Sequence, residues 1–368
     1  PGVPLAGAVA APSATRAPAA PPGGDARVSR RRAGRRATRR VGPPGRLARR
    51  PGLAAYVAGR VGASLLVLLV LSLAVFAMVR LIPGDPAAGF FDARSAPTPE
   101  EVAQVRARLG LDRPWPQQYL SWVGGILRGD FGDSLVTPFP VGAQIAQRLP
   151  ISATLAFLAM GLALGIGIPL GKLAGARAGR PADAAVRATS FALLSTPAFL
   201  VGLFLVLVNS RTLRWQMVGL VPFAQDPAGH LRMLIAPAAV LALGLGAFIA
   251  RHTRAGLIDD LERPHIRTLQ AIGTPRRVIV RLALRNALIP VSTVVAAELG
   301  GLIGGTVVIE KVFAIPAMGT YLVDAIEHSD YPAIQGAMLV IGAVYLLMNL
   351  LVDLAYPVID PRVRVVAT

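Results

Sequence analysis

Few side chains of this sequence are spaced for catalysis or metal binding. Asp259 and Asp260 are neighbours, so on a helix their carboxylates point about 100° apart and form no paired acid–base site. Ser195 has no histidine or lysine nearby in the sequence to activate its hydroxyl as a nucleophile. The chain has no cysteine and four scattered histidines, which excludes a thiol nucleophile and argues against a histidine-rich metal centre. We therefore predict no catalytic activity, no cofactor and no metal site.

A nucleotide site is not predicted either. Segment 165–172 has glycines and a final lysine like those of a phosphate-binding loop, but the glycine spacing is wrong. Leu173 stands where such a loop needs Ser or Thr, and the segment lies inside an apolar run. Any energy from ATP must therefore reach this chain through a partner.

Segment 265–273 is predicted to form a short amphipathic helix in a strongly basic connection between two apolar runs. Ile266, Leu269 and Ile272 are spaced i, i+3 and i+6 as apolar anchors, and Gly273 is expected to end the helix. Two interpretations are open. The helix could dock in the groove of a partner, or it could lie on the lipid surface.

Glu298 falls within the fifth apolar run, and acids inside a membrane are costly and usually face protein or water. It could line a transport path and pair with the amino terminus of a substrate, pair with a partner helix, or lie close to the headgroups. Small residues around it form two overlapping small-xxx-small pairs, which favour close helix packing or leave room along a path. These residues are Gly300, Gly301, Gly304 and Gly305.

Composition predicts the fold class. Hydrophobic residues make up 54% of the chain and charged residues 16%, against about a quarter charged in a typical soluble domain. A spanning helix needs about 20 apolar residues, and six segments qualify. They are 61–81, 153–173, 189–209, 233–252, 289–309 and 333–357. We predict an all-α polytopic membrane protein with six transmembrane helices.

Charge predicts the orientation. The connections at 174–188 and 253–288 are rich in arginine, as is the amino-terminal segment, whereas 82–150 and 310–332 are balanced or acidic. Because positively charged connections stay in the cytoplasm, we expect both termini and the two basic connections to be cytoplasmic. An even number of spans agrees with this arrangement.

Residues 1–54 are predicted to be a disordered basic tail, because they are rich in Pro, Ala and Gly and lack apolar periodicity. Its arginines could contact anionic lipid headgroups or nucleic acid, or could have no function. No aromatic residues are interleaved with them and no nucleic-acid-binding fold is recognisable. Membrane lipid is therefore a predicted partner and nucleic acid is not.

The connection 82–150 is too long for a simple turn and predicts a small helical subdomain outside the membrane. Thr98, Pro99 and Glu101 are typical of a helix start with a capping box. A second helix is predicted over 117–127, with Tyr119, Leu120, Val123 and Ile126 on one face. The subdomain could cap the spans, offer a landing surface for an external partner, or do both.

Short motifs along the chain occur in the order found in one transporter family. They include Leu81-Ile82-Pro83-Gly84-Asp85-Pro86, Arg128-Gly129-Asp130-Phe131-Gly132, Leu284-Arg285-Asn286-Ala287, Val308-Ile309-Glu310-Lys311 and Asp360-Pro361-Arg362. Together they resemble the permease subunits of binding-protein-dependent ABC importers, in the dipeptide, oligopeptide and nickel group. The resemblance covers roughly residues 55–364.

This resemblance implies a type I importer permease fold and a role for each segment. The helix in connection 253–288 corresponds to the coupling helix, which docks on the ATPase subunit in that family. Arg267-Thr268-Leu269 stands where the family carries Glu-Ala-Ala, so the first and third positions depart from its pattern. The implied coupling residues are Ile266, Arg267, Thr268, Leu269, Ala271, Ile272 and Gly273.

The resemblance also implies the assembly. A second, homologous permease subunit would complete the pore, two ABC ATPase subunits would dock below, and an extracytoplasmic solute-binding protein would deliver substrate. The expected location is a bacterial inner membrane and the expected cargo is a di- or oligopeptide. A nickel chelate or another small solute is the alternative on the same scaffold, and secondary transport is a further alternative.

Overall fold

The computed structural model describes residues 53–81, 98–108, 112–212 and 215–359. These residues form twelve α-helices and no β-strand, apart from an isolated bridge between Asp133 and Pro140. The helices are α1 Leu53–Leu81, α2 Pro99–Arg108, α3 Trp115–Ile126, α4 Val141–Ala176, α5 Pro181–Ser195, α6 Ala198–Arg211, α7 Pro227–Leu261, α8 Pro264–Ala271, α9 Arg276–Gly305, α10 Val307–Val312, α11 Met318–Glu327 and α12 Tyr331–Ile359. The predicted all-α polytopic class is confirmed.

Five of the described helices, α1, α4, α7, α9 and α12, are long and apolar enough to cross a membrane, and α5 with α6 forms a bent pair that could count as a sixth span. The third span predicted over 189–209 corresponds to this bent pair, in which α5 and α6 meet at 92°. Thr196 is extended there, as expected of a residue that precedes a proline. Pro197 cannot donate a backbone hydrogen bond, so the sequence breaks the helix rather than kinking it.

The predicted fifth span also ends too late. Helix α9 stops at Gly305, and Thr306 separates it from the short α10. Two consecutive glycines favour such a stop, because glycine loses more conformational entropy in a helix than other residues. Ile309, predicted at the end of that span, is instead a buried core residue of α10.

The crossing of α4 and α7 brings two helix backbones into close contact. Gly167 and Gly171, four residues apart, place the α4 backbone directly against α7. A Cβ built on Gly167 would lie 2.6 Å from the carbonyl oxygen of Gly246, and one on Gly171 would lie 2.5 Å from that of Ala250. Only a residue without a side chain permits this approach, in the manner of small-xxx-small packing in membranes.

The predicted capping box at the start of α2 is confirmed. The backbone N–H and the hydroxyl of Thr98 donate to the carboxylate of Glu101 at 2.8 and 3.0 Å, and the N–H of Glu101 donates back to the Thr98 hydroxyl at 3.3 Å. These hydrogen bonds hold the pKa of Glu101 below its usual value. The α2 start is therefore fixed locally, as the sequence indicated.

Helix α3 packs on α1 through aromatic side chains. The hydroxyls of Tyr119 and Ser72 lie 2.7 Å apart, and the Tyr119 ring meets Phe76 edge-on at 5.3 Å between centroids. The expected position of Leu120 on the same face is wrong, because Leu120 is 68% exposed. One residue turns a helix by about 100°, so Trp122 rather than Leu120 shares the face of Tyr119.

Several sequence-based expectations lie outside the described residues. They concern the tail at 1–52 and the motifs at 82–86 and 360–362. Leu53 and Ala54, placed in the tail by the sequence, already belong to α1.

Candidate functional site

Helix α8 is fixed to the rest of the chain by its inner face. Pro264 occupies its first turn, where a missing N–H is harmless. Ile266 is completely buried in a cluster with Leu257 of α7 and Ile279 and Ala283 of α9. Leu269 is partly buried against the same cluster. Burial of a side chain of this size contributes roughly 1.5–3 kcal/mol, so α8 is held as part of the α7–α9 unit.

The outer face of α8 is exposed. Arg267, Thr268 and Ala271 are exposed on the helix, and Ile272, just beyond it, is 72% exposed. The sequence analysis placed Ile272 with Ile266 as anchors of one face. Six residues along a helix, however, correspond to a rotation of about 240° around the helix axis. The structure therefore separates them, with Ile266 facing α7 and α9 and Ile272 facing away.

Gly273 ends α8 in the left-handed conformation, with φ of +78°. The N–H of Thr274 donates to the carbonyl of Leu269 and the N–H of Gly273 donates to that of Gln270, both at 3.0 Å. This is the Schellman pattern, which satisfies the free carbonyls at a helix end and favours glycine. The expected closure by Gly273 is confirmed, and it presents Ile272 at the turn.

A buried carboxylate pins the start of α8. Asp260 is 2% exposed, and its Oδ2 accepts a hydrogen bond from Asn286 of α9 at 3.1 Å. Arg263 lies 3.3 Å from Oδ1 and His265 lies 3.7 Å from Oδ2. Within the described residues Oδ1 has no hydrogen-bond partner of good geometry. No local sequence pattern indicates this role, since the contact to Asn286 joins residues on different helices.

A second ion pair joins the first turn of α5 to α7. Arg254 donates through Nε and Nη2 to the two carboxylate oxygens of Asp183, at 2.5 and 2.9 Å. The N–H of Gly179 donates to the same carboxylate at 2.9 Å, and Asp183 is almost fully buried. A two-pronged arginine–carboxylate pair fixes relative geometry as well as distance, so the two basic connections are rigidly linked.

Glu298 and its glycines divide between two faces of α9. Glu298 and Gly301, one turn apart, are exposed, and a Cβ on Gly301 would meet nothing within 4 Å among the described residues. Gly300 is buried where α9 crosses α12, and a Cβ there would lie 3.1 Å from the ring of Tyr345. Gly304 and Gly305 form the last turn of α9. The structure thus assigns Gly300 to helix packing and leaves Glu298 and Gly301 on an open face.

Sequence reasoning missed a buried polar cluster at the opposite end of the helices. Glu310 of α10 is fully buried. It accepts hydrogen bonds from the hydroxyls of Thr306 at 2.6 Å and Ser152 at 3.3 Å, and from the N–H of Thr320 at 2.9 Å. The Ser152 hydroxyl also accepts from Met318. The cluster holds α4, α10 and α11 together. No local sequence pattern predicts it, because Ser152 and Glu310 are far apart in the sequence.

The same end carries charged and aromatic groups. The ammonium of Lys311 donates to Asp324 at 2.5 Å, and this hydrogen bond raises the pKa of Lys311. The guanidinium of Arg148 stacks over the ring of Tyr321 at 4.6 Å, and burial raises the pKa of Tyr321 to about 12. In the described residues no group of three or more His, Asp or Glu side chains is arranged to hold a metal ion.

Comparisons with known proteins identify the chain's relatives. The family model of the binding-protein-dependent transport system inner membrane component matches residues 167–365. The model of its amino-terminal part, described as the N-terminal region of a binding-protein-dependent transport system membrane component, matches residues 53–156. Together the two matched regions cover all the helices described above except residues 157–166 of α4.

Individual relatives match over nearly their whole length. A putative peptide transport system permease protein of Brucella abortus (strain 2308) is 37% identical over 314 residues, which is 85% of this chain and 99% of the relative. A probable peptide ABC transporter permease protein of Sinorhizobium fredii is 38% identical over 84% of this chain and 99% of the relative. The dipeptide transport system permease protein DppB of Escherichia coli (strain K12) is 34% identical over 84% of this chain and 98% of the relative. These matches confirm the resemblance drawn from the sequence motifs. The chain belongs to the family of inner membrane components of binding-protein-dependent transport systems.

Proposed function

We propose that this chain is one half of the pore of an ATP-driven importer for di- or oligopeptides. Support comes from the family, which consists of transport components rather than enzymes, and from relatives named as peptide and dipeptide permeases. A second, homologous permease subunit completes the pore. An extracytoplasmic solute-binding protein delivers the peptide, and two ABC ATPase subunits supply the energy.

The exposed outer face of α8 is the observation that carries the coupling proposal. Ile266 packs α8 against α7 and α9, and Arg263 and His265 at the start of α8 lie beside the buried Asp260, so a push on α8 moves the spans with it. Ile272 offers an exposed apolar anchor beside Thr268 and Ala271. A helix held on one side and apolar on the other fits the groove of a partner. We assign this groove to the ATPase subunit.

The open face of α9 supports a pore at the contact with a second permease. Glu298 would be costly if it faced lipid, so its exposure in the single chain favours a position against protein or water in the assembly. Gly301, one turn further on, leaves space beside it. Gly304 and Gly305 extend the same run of small residues. A carboxylate on this path can pair with the amino terminus of a passing peptide.

The distribution of charge supports the orientation. Arg177, Arg254 and Arg276 lie at the end of the spans that carries α8, and this end is the one we assign to the cytoplasm. Lys311 and its acidic neighbours lie in the α10–α11 connection, which we assign to the outside. Both termini are then cytoplasmic, and the chain is a multi-pass protein of a bacterial inner membrane.

The test is transport by the reconstituted complex. The chain is purified with its partner subunits, placed in liposomes and supplied with the solute-binding protein. The expected result is uptake of labelled dipeptides that requires both ATP and the ATPase subunits. Uptake of a nickel chelate but of no peptide would replace the proposed cargo. Uptake driven by an ion gradient without ATPase subunits would reject the importer mechanism itself.

A further inference from the structure

A strongly basic cavity lies between the end of α4 and the start of α9. Its volume is about 570 Å³, which falls in the range of small-ligand sites. Among the described residues around it, six are cationic and none is acidic. The lining residues are Lys172, Ala176, Arg177, Arg180, Arg276, Arg277, Val280 and Arg281. Neither the coupling proposal nor the pore proposal uses this cavity.

The cations of the cavity are brought together by the fold rather than by the sequence. Arg276 donates from Nη2 to the carbonyl oxygen of Ala176 at 2.8 Å, which joins the last turn of α4 to the first turn of α9. Arg180 comes from the turn before α5. A neighbouring cavity of about 300 Å³ shares Arg177, Arg180 and Arg276 and adds Glu262 on its far side. Like charges held this close repel each other, so the main cavity favours an anion.

The surroundings of the cavity are apolar on the membrane side. Lys172 follows the long apolar run of α4, so its ammonium lies at the end of a span, where headgroups begin. Ile166, Leu170 and Leu173 lie at helical spacing on the same face of α4 as Arg177, and all three are exposed. An anion that also carries apolar chains satisfies both halves of this site. The acidic surface of a soluble partner would leave these side chains uncovered.

We propose that the cavity binds the headgroup of an anionic phospholipid, with its acyl chains against Ile166, Leu170 and Leu173. Basic pockets at the cytoplasmic ends of spans bind such headgroups in membrane proteins. Six cations exceed what a single phosphodiester needs, so a headgroup with two phosphates, as in cardiolipin, fits best. The bound lipid lies beside α9, the helix that carries Glu298. Its binding depends on neither the cargo nor the direction of transport.

The test compares three forms of the full chain, each purified in its assembled transporter and stripped of lipid. The pocket variant is R180Q/R281Q. The control R251Q/R285Q removes the same charge from exposed arginines outside the cavity. Cardiolipin is titrated into each, and bound lipid is counted by native mass spectrometry. We expect about thirtyfold weaker binding by the pocket variant, which loses two arginines, and unchanged binding by the control, with equal thermal melting of all three.

Two further arms identify the ligand. Phosphatidylcholine vesicles or inorganic pyrophosphate are added as competitors of cardiolipin. We expect neither to displace it from the wild-type complex. Equal binding of cardiolipin by the pocket variant and the control would overturn the proposal. Competition by pyrophosphate would overturn the assignment to a lipid. If the cavity bound lipid only after removal of the ATPase subunits, we would assign the cavity to the contact with their acidic surface. This result would also overturn the proposal.

Discussion

Ile266 and Ile272 lie on opposite sides of the same short helical segment, the first completely buried and the second 72% exposed. Sequence periodicity groups them as equivalent anchors, yet only Ile266 packs against α7 and α9. The proposed coupling has two requirements, and the two residues meet one each. One side of α8 must be attached to the spans, and the other must be available to the proposed ATPase partner.

The first prediction concerns stability. I266A is expected to lower the free energy of unfolding by about 2–5 kcal/mol, because a buried isoleucine is replaced by a cavity. I272A is the matched control and should change it by less than about 0.5 kcal/mol. Thermal unfolding of the purified chain in detergent measures both. Equal destabilisation by the two substitutions would mean that α8 is packed differently from the arrangement described here.

The second prediction concerns the turn at Gly273. A Cβ at this position meets nothing within 4 Å among the described residues, so any penalty comes from the φ of +78°. G273A should cost about 1–2 kcal/mol of local stability, and G273N should cost less because Asn tolerates this conformation. A bulky, β-branched residue such as Val should uncouple ATP hydrolysis from uptake without preventing membrane insertion.

ATPase activity and peptide uptake are measured on the reconstituted complex. We expect uptake per ATP hydrolysed to fall in the order Gly, Asn, Ala, Val at position 273. Membrane levels of each variant are measured on the same samples. Wild-type uptake by G273V would contradict the role assigned to this turn.

The third prediction concerns the α4–α7 crossing. G171L places a side chain where even a Cβ would lie 2.5 Å from the Ala250 carbonyl oxygen, so the helices must separate and the folded chain should be lost from the membrane. G165L, on the same helix, introduces the same side chain where nothing lies within 4 Å of the Cβ among the described residues. Yield after membrane extraction and size-exclusion profiles distinguish the two. A normal yield of G171L would show that this contact is looser than described.

The fourth prediction concerns Glu298. If its carboxylate pairs with the amino terminus of the cargo, E298Q should raise the KM for dipeptide uptake about tenfold, which corresponds to one charge-assisted hydrogen bond. Uptake of an N-acetylated dipeptide, which has no charged amino terminus, should be equally slow in both forms. E327Q removes an exposed acid from the α11 end and serves as control. Identical KM values for wild type and E298Q would remove Glu298 from the path.

Local signals made part of this structure predictable. The capping box of Thr98 and Glu101 and the closure at Gly273 depend on residues within a few positions of each other, and both are confirmed. The helical class and most of the spans follow from long apolar runs, because the bilayer sets their length. Family membership followed from the order of several short motifs along the chain.

Long-range packing made the rest unpredictable. The direction of Ile272 depends on where α8 ends and on which side α9 covers. The angle between α5 and α6 was not predictable either, because a proline in a span can bend a helix slightly or stop it. Glu310 and Asp260 owe their burial to partners on other helices, such as Ser152 and Asn286, and no local pattern marks such pairs.

Photo-cross-linking from position 272 tests the transmission of force from the ATPase most directly. A photoreactive amino acid replaces Ile272 in the assembled importer, and the control carries it at Leu127, which is 82% exposed at the end of α3. We expect an adduct with the ATPase subunit from position 272 and none from position 127. An intact, transport-competent complex that yields no ATPase adduct from position 272 would contradict the account.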